Sequence, residues 1–527
     1  MSEQLLTHEN PNKISTIYAF VIPVIVFLYF LQWKTHVFYG DDLANYKYYT
    51  GLKTFSEKVN MAAAVEKYRP VYGISLQLII DSFNKNPDGY YWFNVIIQSI
   101  NTFIFACLLN LYLTTPVLSV LFGLLLGLSR FAFFNITQLT NGGALEGLAL
   151  TFFLGCLYYV VKQFKSSGDK TLSPRNMLFA ILFANLSLYT HERYIVLLPF
   201  LLLVLIATTT LKKVKQKQSG LITALIIGSV LLNVFVKKYV FGMSFFVGTG
   251  GTHVVFSVNT AYSSLKDAVV SIFLFNTGPE YLVGIHFSSL SSFYKLLTIL
   301  TFVFLVFLLI RFFRKELVRR TQQQKPISPC ITDFLLLGIL FFLLLAPAIV
   351  TIRLEQRWLQ ASLGILVLII VMLLSSFRFN NSMAKYILCA SFVFVFLLVD
   401  REYLSKGANL IYMMSCENSA AVFKKGVDKG VIRNSTKNLY VWEKTRNENG
   451  ENEVKWYLAD GYFFDFYGGN KKNLVFIDSV YERSHSTADT AFFHFNPKTD
   501  QLVYATNEVF DITENFLRDS LKNFDQR

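Results

Sequence analysis

Eleven apolar runs, each long enough to cross a bilayer, constrain this chain more than any other feature. They fall near 15–33, 91–113, 116–134, 143–161, 175–190, 194–211, 220–236, 296–313, 332–351, 358–375 and 384–400. About 20 apolar residues in a helix span the hydrocarbon core, and within it every backbone N–H and C=O must be met inside the segment. Such a succession predicts a bundle of membrane helices rather than a soluble globule. Composition agrees: 53% of the 527 residues are hydrophobic and 16% are charged, against about 25% charged in soluble domains. Tight joins around 114–115 and 191–193 each admit a different count. The first run is too long for a signal-peptide core and lacks a clean cleavage site, so it is expected to stay as a span.

The net charge of +14 points to topology, not to nucleic acid. Lys162, Lys165, Lys170 and Arg175 crowd one short loop, and Lys212, Lys213, Lys215 and Lys217 another. Arg311, Arg314, Lys315, Arg319, Arg320 and Lys325 fill a third, and Arg378 and Lys385 a fourth. With eleven spans these loops share one side, which the positive-inside rule makes cytoplasmic. The N-terminus is then cytoplasmic and everything beyond residue 400 lies outside. The five cysteines form neither a CxxC nor a metal-ligand spacing, so no disulfide framework is expected.

Two outer loops are too long for turns. Residues 34–90 hold Gly40-Asp41-Asp42, a stretch at 52–68 with Leu52, Phe55, Val59, Ala62 and Ala63 on one side, and Arg69-Pro70. The 52–68 pattern predicts an interfacial amphipathic helix, and Pro70 opens a second helix over 70–84. Residues 240–293 form the other loop, with Gly248 to Thr252 as a flexible stretch. Over 401–527 the charge density rises, and strand-like runs appear at 439–442 and 474–478, with a hairpin near 491–506 turning at Asn496-Pro497-Lys498. The expected architecture is an all-α polytopic membrane region, 1–400, followed by a small soluble α/β domain, 401–527.

On that map ionisable residues gather at the outer ends of the spans. They are Asp41, Asp42 and Arg69; Arg130, with Asn141 and Glu146; His191, Glu192 and Arg193; and Arg353, Glu355 and Arg357. Span centres are nearly free of charge, Asn185 and Asn233 being the main polar residues there. Ion-coupled transporters tend to place such groups near the midplane. An enzyme acting on a lipid-linked substrate needs them at the surface, where arginine forks take phosphate oxygens and a carboxylate serves as base. Each residue also has a plainer reading. Interfacial Arg and Lys often only anchor, Asp41 or Asp42 alone can cap a helix, and Arg353, Glu355 and Arg357 can pair among themselves. No HExxH accompanies His191 and Glu192.

The series Asp41-Asp42, Tyr68-Arg69-Pro70, Asp81, Asn86-Pro87 and Trp92-Phe93-Asn94 resembles the GT-C superfamily of integral-membrane glycosyltransferases. Within it the chain is similar to bacterial and phage glucosyltransferases that modify O-antigen and to protein O-mannosyltransferase-like enzymes. Glu355-Gln356-Arg357-Trp358-Leu359 is similar to a late Glu-Arg motif of the second group, with Gln356 where a glutamate adjoins the arginine. The resemblance implies a GT-C-like fold and an inverting transfer from a polyprenyl-phosphate sugar to an extracytoplasmic acceptor: a glycan, a lipid-linked glycan such as lipopolysaccharide O-antigen, or a protein. It implies Asp41 or Asp42 as the base and Glu146 as the second acidic residue, which helps position the acceptor. Arg69, Arg193, Arg353 and Arg357 are the candidates for the donor phosphate, with His191, Glu192 and Glu355 as further candidates. A divalent metal is compatible with paired carboxylates, but no cofactor is expected. The competing readings are an O-antigen ligase or polymerase, a transporter or flippase for lipid-linked sugars, and a non-enzymatic scaffold.

Overall fold

The structure is a computed structural model describing residues 16–60, 67–113, 115–165, 173–211, 216–243, 257–277, 285–323, 329–350, 354–377, 382–428, 432, 438–443, 453–468, 470–471, 473–477, 490–496, 501–506 and 508–512. Among them, eight helices are long and apolar enough to cross a membrane: Pro87–Leu113, Gly142–Lys165, Glu192–Thr209, Gln218–Val240, Ser292–Arg319, Cys330–Ile349, Gln356–Ser375 and Ser382–Ser405. A ninth is the bent pair Pro116–Gly127 and Arg130–Thr137, whose halves meet at 56°. The chain is an integral membrane protein with eight or nine such helices among the described residues, not the eleven that hydropathy suggests. The two remaining runs are helical but shorter, Ile17–Trp33 and the 17-residue Pro174–Thr190. At 1.5 Å per residue the latter reaches about 25 Å, less than the ~30 Å core. Pro174 fixes its start, and the extended backbone at His191 (φ −146°) ends it.

The bend in the Pro116–Thr137 segment has a local cause. Ser129 leaves helical geometry at ψ 152°, and the fully buried Arg130 beside it is held from three directions. Its backbone N–H donates to Asp400 Oδ2 at 2.6 Å, and its guanidinium lies 3.2 Å from Asp400 Oδ1. The guanidinium also donates to the Ser271 carbonyl at 2.7 Å and to Asn276 Oδ1 at 2.9 Å. The rings of Phe131 and Tyr403 lie 4.7 Å from its carbon. Arg130 thus ties the bend to the last span rather than joining the other outer-face charges.

The first long loop is more structured than its pattern suggests. A helix runs over Gly40–Gly51 with both aspartates in its first turn. Among its described residues the amphipathic stretch holds the short helix Phe55–Val59, opened by a capping box between Thr54 and Glu57. Residues 61–66 lie outside the described residues, and Lys67–Arg69 belongs to no helix or strand. The proline-opened helix appears as Pro70–Phe83. In the second loop an amphipathic helix covers Val258–Ile272; the Gly248 to Thr252 stretch lies outside the described residues.

After the last span come the helices Ala408–Asp428, Glu453–Tyr457 and Tyr462–Gly468 and five strands, β1 (Asn438–Glu443), β2 (Asn473–Ile477), β3 (Thr490–Asn496), β4 (Gln501–Thr506) and β5 (Glu508–Ile512). They form one sheet in the order β2-β1-β3-β4-β5. β1 pairs parallel with β2 and with β3, while β3–β4 and β4–β5 are antiparallel. The two short helices lie on the β1-to-β2 crossover that parallel pairing requires. One apolar core fills the span bundle. A second joins Ile22 and Val26 of the first helix, Phe38, Tyr39 and Tyr46 of the loop at 34–90, and Phe423, Tyr457 and Phe466 of the C-terminal helices.

Candidate active site at the ends of the spans

Gly40 enters the acidic helix at φ +52°, a conformation that costs glycine little and other residues more. Adjacent residues on a helix point in different directions, and here the two aspartates part company. Asp42 is buried, and its carboxylate accepts from Leu139 N–H (3.0 Å), Thr140 N–H (2.7 Å) and Thr140 Oγ1 (2.7 Å). Burial pushes its pKa up to about 6, against the pull of those donors. Asp41 is exposed and accepts from the indole Nε1 of Trp456 at 3.3 Å.

A second group sits on the other side of the Gln138–Asn141 turn. Lys67 and Arg69 both lie within electrostatic range of Glu192, while the Tyr68 ring packs against Tyr189 and Phe241. Arg69 forms a fork with Glu192, its Nη2 2.5 Å from Oε1 and its Nε meeting the other oxygen. The buried Glu146 pairs with Arg193, lies 3.6 Å from His191 Nε2 and 3.6 Å from Arg357 Nε. Arg357 also pairs with Glu355 at 2.5 Å and donates to Gln138 Oε1 at 2.8 Å. His191 Nδ1 accepts from the Arg193 N–H at 3.4 Å, which leaves the ring proton on Nε2, facing Glu146. Burial, then Arg69 and Arg193, push the His191 pKa down to about 4, so the ring is neutral at pH 7.

Glu146 is positioned by an irregular turn. Residues Gly142–Gly147 form a π-helix at the start of their span, a distortion frequent at functional sites. Asn94 holds it by accepting from Gly143 N–H at 2.8 Å and donating to the carbonyls of Gln138 (2.7 Å) and Ile136 (3.2 Å). A Cβ on Gly143 would lie 2.4 Å from Asn94 Oδ1.

Electrostatically the second group carries more positive than negative charge. Lys67, Arg69, Arg193, Lys237 and Arg357 lie within interaction range of Glu146, Glu192 and Glu355, with Asp41 in range of Arg357, so five cations face four carboxylates. Burial and Arg69 push the Lys67 pKa down to about 8. Among the described residues, buried Arg193 Nη1 and Arg357 Nε have no hydrogen-bond acceptor. Three spans, Gly142–Lys165, Glu192–Thr209 and Gln356–Ser375, begin at this cluster, and helix N-termini favour anions. The arrangement can hold a phosphate.

The two groups meet at Gln138–Asn141. Gln138 receives Arg357, Leu139 and Thr140 receive Asp42, and Asn141 Oδ1 accepts from Tyr72 (2.9 Å) and Asn45 (3.1 Å). Asp41 lies within electrostatic range of Arg357. The structure therefore brings Asp41, Asp42, Arg69, Glu146, His191, Glu192, Arg193, Glu355 and Arg357 together. Arg353 lies outside the described residues, and Arg130 sits apart. Sequence reasoning missed Lys67, Tyr72, Gln138, Thr140, Lys237 and Trp456. Only Lys67 left a signal, its two-residue spacing from Arg69. Among the described residues no three His, Cys, Asp or Glu side chains are placed to hold a metal ion.

No protein-family model matches the chain, and no curated protein matches it by sequence. Among solved structures it is similar to that of ArnT from Cupriavidus metallidurans bound to undecaprenyl phosphate. That likeness covers 95% of this chain and 98% of the other, at 11% identity and a TM-score of 0.44.

Proposed function

We propose that this protein is an inverting glycosyltransferase that moves a hexose from a polyprenyl-phosphate donor to a cell-envelope acceptor such as lipopolysaccharide O-antigen. Its working face is extracytoplasmic, in a bacterial inner membrane. The observation that carries this reading is a buried cluster with surplus positive charge and unmet arginine donors, one turn away from an exposed carboxylate. The donor phosphate lies against Arg69, Arg193, Arg357 and Lys67, with its isoprenoid tail in the bilayer. Asp41 takes the proton of an acceptor hydroxyl as its oxygen bonds to the anomeric carbon. The bond from that carbon to the phosphate oxygen breaks, and its electron pair leaves with the polyprenyl phosphate. The phosphate leaves ionised, so fixed cations stabilise the charge that develops there, and no acid is required. Displacement in one step inverts the anomeric centre.

Within this reading Glu146 and Glu192 space the cations. Each neutralises part of the cluster and fixes guanidinium planes before the phosphate arrives, and Asp42 holds the Leu139–Thr140 turn against the helix that carries Asp41. The test is transfer in proteoliposomes with radiolabelled undecaprenyl-phosphate glucose and crude envelope lipopolysaccharide. Asp41→Asn is expected to lower the rate by about 10²–10⁴-fold while leaving binding of undecaprenyl phosphate intact. Full activity in Asp41→Asn would overturn the assignment of the base.

A further inference from the structure

We propose that Trp456, carried by the segment beyond the last span, is a positioning residue for Asp41, so that the site is complete only when that segment is docked. The inference rests on the reading of Asp41 as the base. The indole Nε1 donates to Asp41 Oδ1 at 3.3 Å, across 415 residues of sequence, and orients a carboxylate that is otherwise exposed. The ring lies against bare backbone: a Cβ on Gly40 would sit 2.7 Å from Trp456 Cζ2 and 2.8 Å from Cη2. An alanine there would push the indole off the acidic helix, in addition to straining a φ of +52°.

Trp456 is held in place by its surroundings. Its neighbours Val454, Tyr457 and Leu458 are buried in the core shared with the outer loop. Directly after them Ala459, Asp460 and Gly461 all adopt positive φ (46°, 53° and 80°). Three left-handed residues in a row reverse the chain sharply into Tyr462–Gly468, and at Ala459 such a conformation is sterically unfavourable. Strain of this kind persists where the surrounding structure over-determines it. The segment is also pinned to the loop that carries Asp41. Tyr467 Oη accepts from Phe38 N–H at 2.8 Å, Glu417 from His36 N–H at 2.7 Å, and the Phe466 carbonyl from Lys85 Nζ at 2.5 Å. Among the described residues, the charged and titratable groups that face Asp41 are Asp42 on its own helix and Arg357 and Tyr72 on neighbouring elements. None of them offers the hydrogen bond that the indole makes.

Trp456→Phe separates positioning from packing, because it keeps a ring and removes the N–H. With undecaprenyl-phosphate glucose and envelope lipopolysaccharide, it is expected to lower kcat roughly tenfold. Acceptor KM and Tm should stay near wild type, so the loss is confined to kcat. A Trp456→Phe enzyme with wild-type kcat, beside an inactive Asp41→Asn, would overturn the proposal. A second readout needs no transfer. The emission of Trp456, taken at pH 7 as the difference made by Trp456→Phe, should differ between the wild-type and Asp41→Asn backgrounds, because the carboxylate that accepts from the indole is replaced. Identical Trp456 emission in the two backgrounds would also overturn the proposal. A clear emission difference in a protein that transfers no sugar would instead count against the glycosyltransferase reading and leave the contact standing.

Discussion

Lys67 shows how one buried residue makes a phosphate site sensitive to pH. Its ammonium is buried beside Arg69, and its pKa sits at about 8 in the empty site. An arriving phosphate stabilises the charged form and raises that pKa, so binding above pH 8 must take up a proton. The Lys67 contribution to affinity for undecaprenyl phosphate is therefore expected to be level below pH 7 and to fall between pH 8 and 9, by at most about tenfold per pH unit. Lys67→Met should bind more weakly throughout and lose that slope. Equal slopes in the two proteins, measured by binding in detergent, would remove Lys67 from the phosphate site. Asp42 carries the opposite lesson. Its three donors require an acceptor-only group, and Asp42→Asn turns an NH₂ toward at least one of them. A loss of about 1–3 kcal/mol is expected, read as a lower Tm; an unchanged Tm would mean that the Leu139–Thr140 latch is dispensable. The acidic pair was legible in the sequence because two adjacent carboxylates at the end of a span are costly without a use. Their division of labour was not, because it depends on Leu139 and Thr140, nearly a hundred residues away.

At the scale of elements, the helices were legible and their irregularities were not. Hydropathy found every apolar run that became a helix, since it sums composition over about 20 residues. It missed the 56° break in Pro116–Thr137, which Arg130 imposes from a distance through Asp400. It also turned 52–68 into one helix, where the Thr54–Glu57 capping box starts a helix only five residues long. The π-turn Gly142–Gly147 was equally hidden, although its requirements are local. Gly143 approaches Asn94 too closely for any side chain, and Asn94 satisfies three backbone groups at once. Asn94→Leu keeps the volume and strips the Asn94 bond from each, leaving the Gln138 carbonyl only its bond from Gly142 N–H. At about 1–3 kcal/mol for each buried group stranded, it should lower Tm more than Asp42→Asn does. It should also weaken undecaprenyl phosphate binding, because Glu146 loses its bearing on Arg193 and Arg357. A variant with normal Tm and normal binding would show that the π-turn holds itself.

For the whole molecule, the decisive relation is between the two ends of the chain. The sequence suggested a separate domain beyond residue 400 by its charge, yet gave no sign that its helices would share a core with the loop at 34–90. Aromatic residues on both sides make that core: Phe38 lies 5.2 Å from Phe466, and Tyr46 lies 4.9 Å from the same ring. Such contacts depend on tertiary approach and leave no periodic trace. Glu417 sits within this junction, buried, with His36 N–H donating to it. Burial raises its pKa to about 7 despite that donor, whereas in an unfolded chain a glutamate titrates near 4.3. Between those values the folded protein binds the proton and the unfolded chain does not. The stabilisation is therefore fully present below about pH 4 and is lost as pH rises through 7. A gap of that size corresponds to at most about 4 kcal/mol. Glu417→Gln keeps an oxygen for His36 and removes the charge. The variant should match the wild type near pH 4, exceed its Tm at pH 8, and show a flatter fall of Tm between those values. Other carboxylates titrate in the same range, Asp42 among them, so the difference between the two proteins is the quantity to measure. If that difference is the same at pH 4 and pH 8, the junction is not governed by Glu417, and the apolar core alone holds the C-terminal helices against the outer loop.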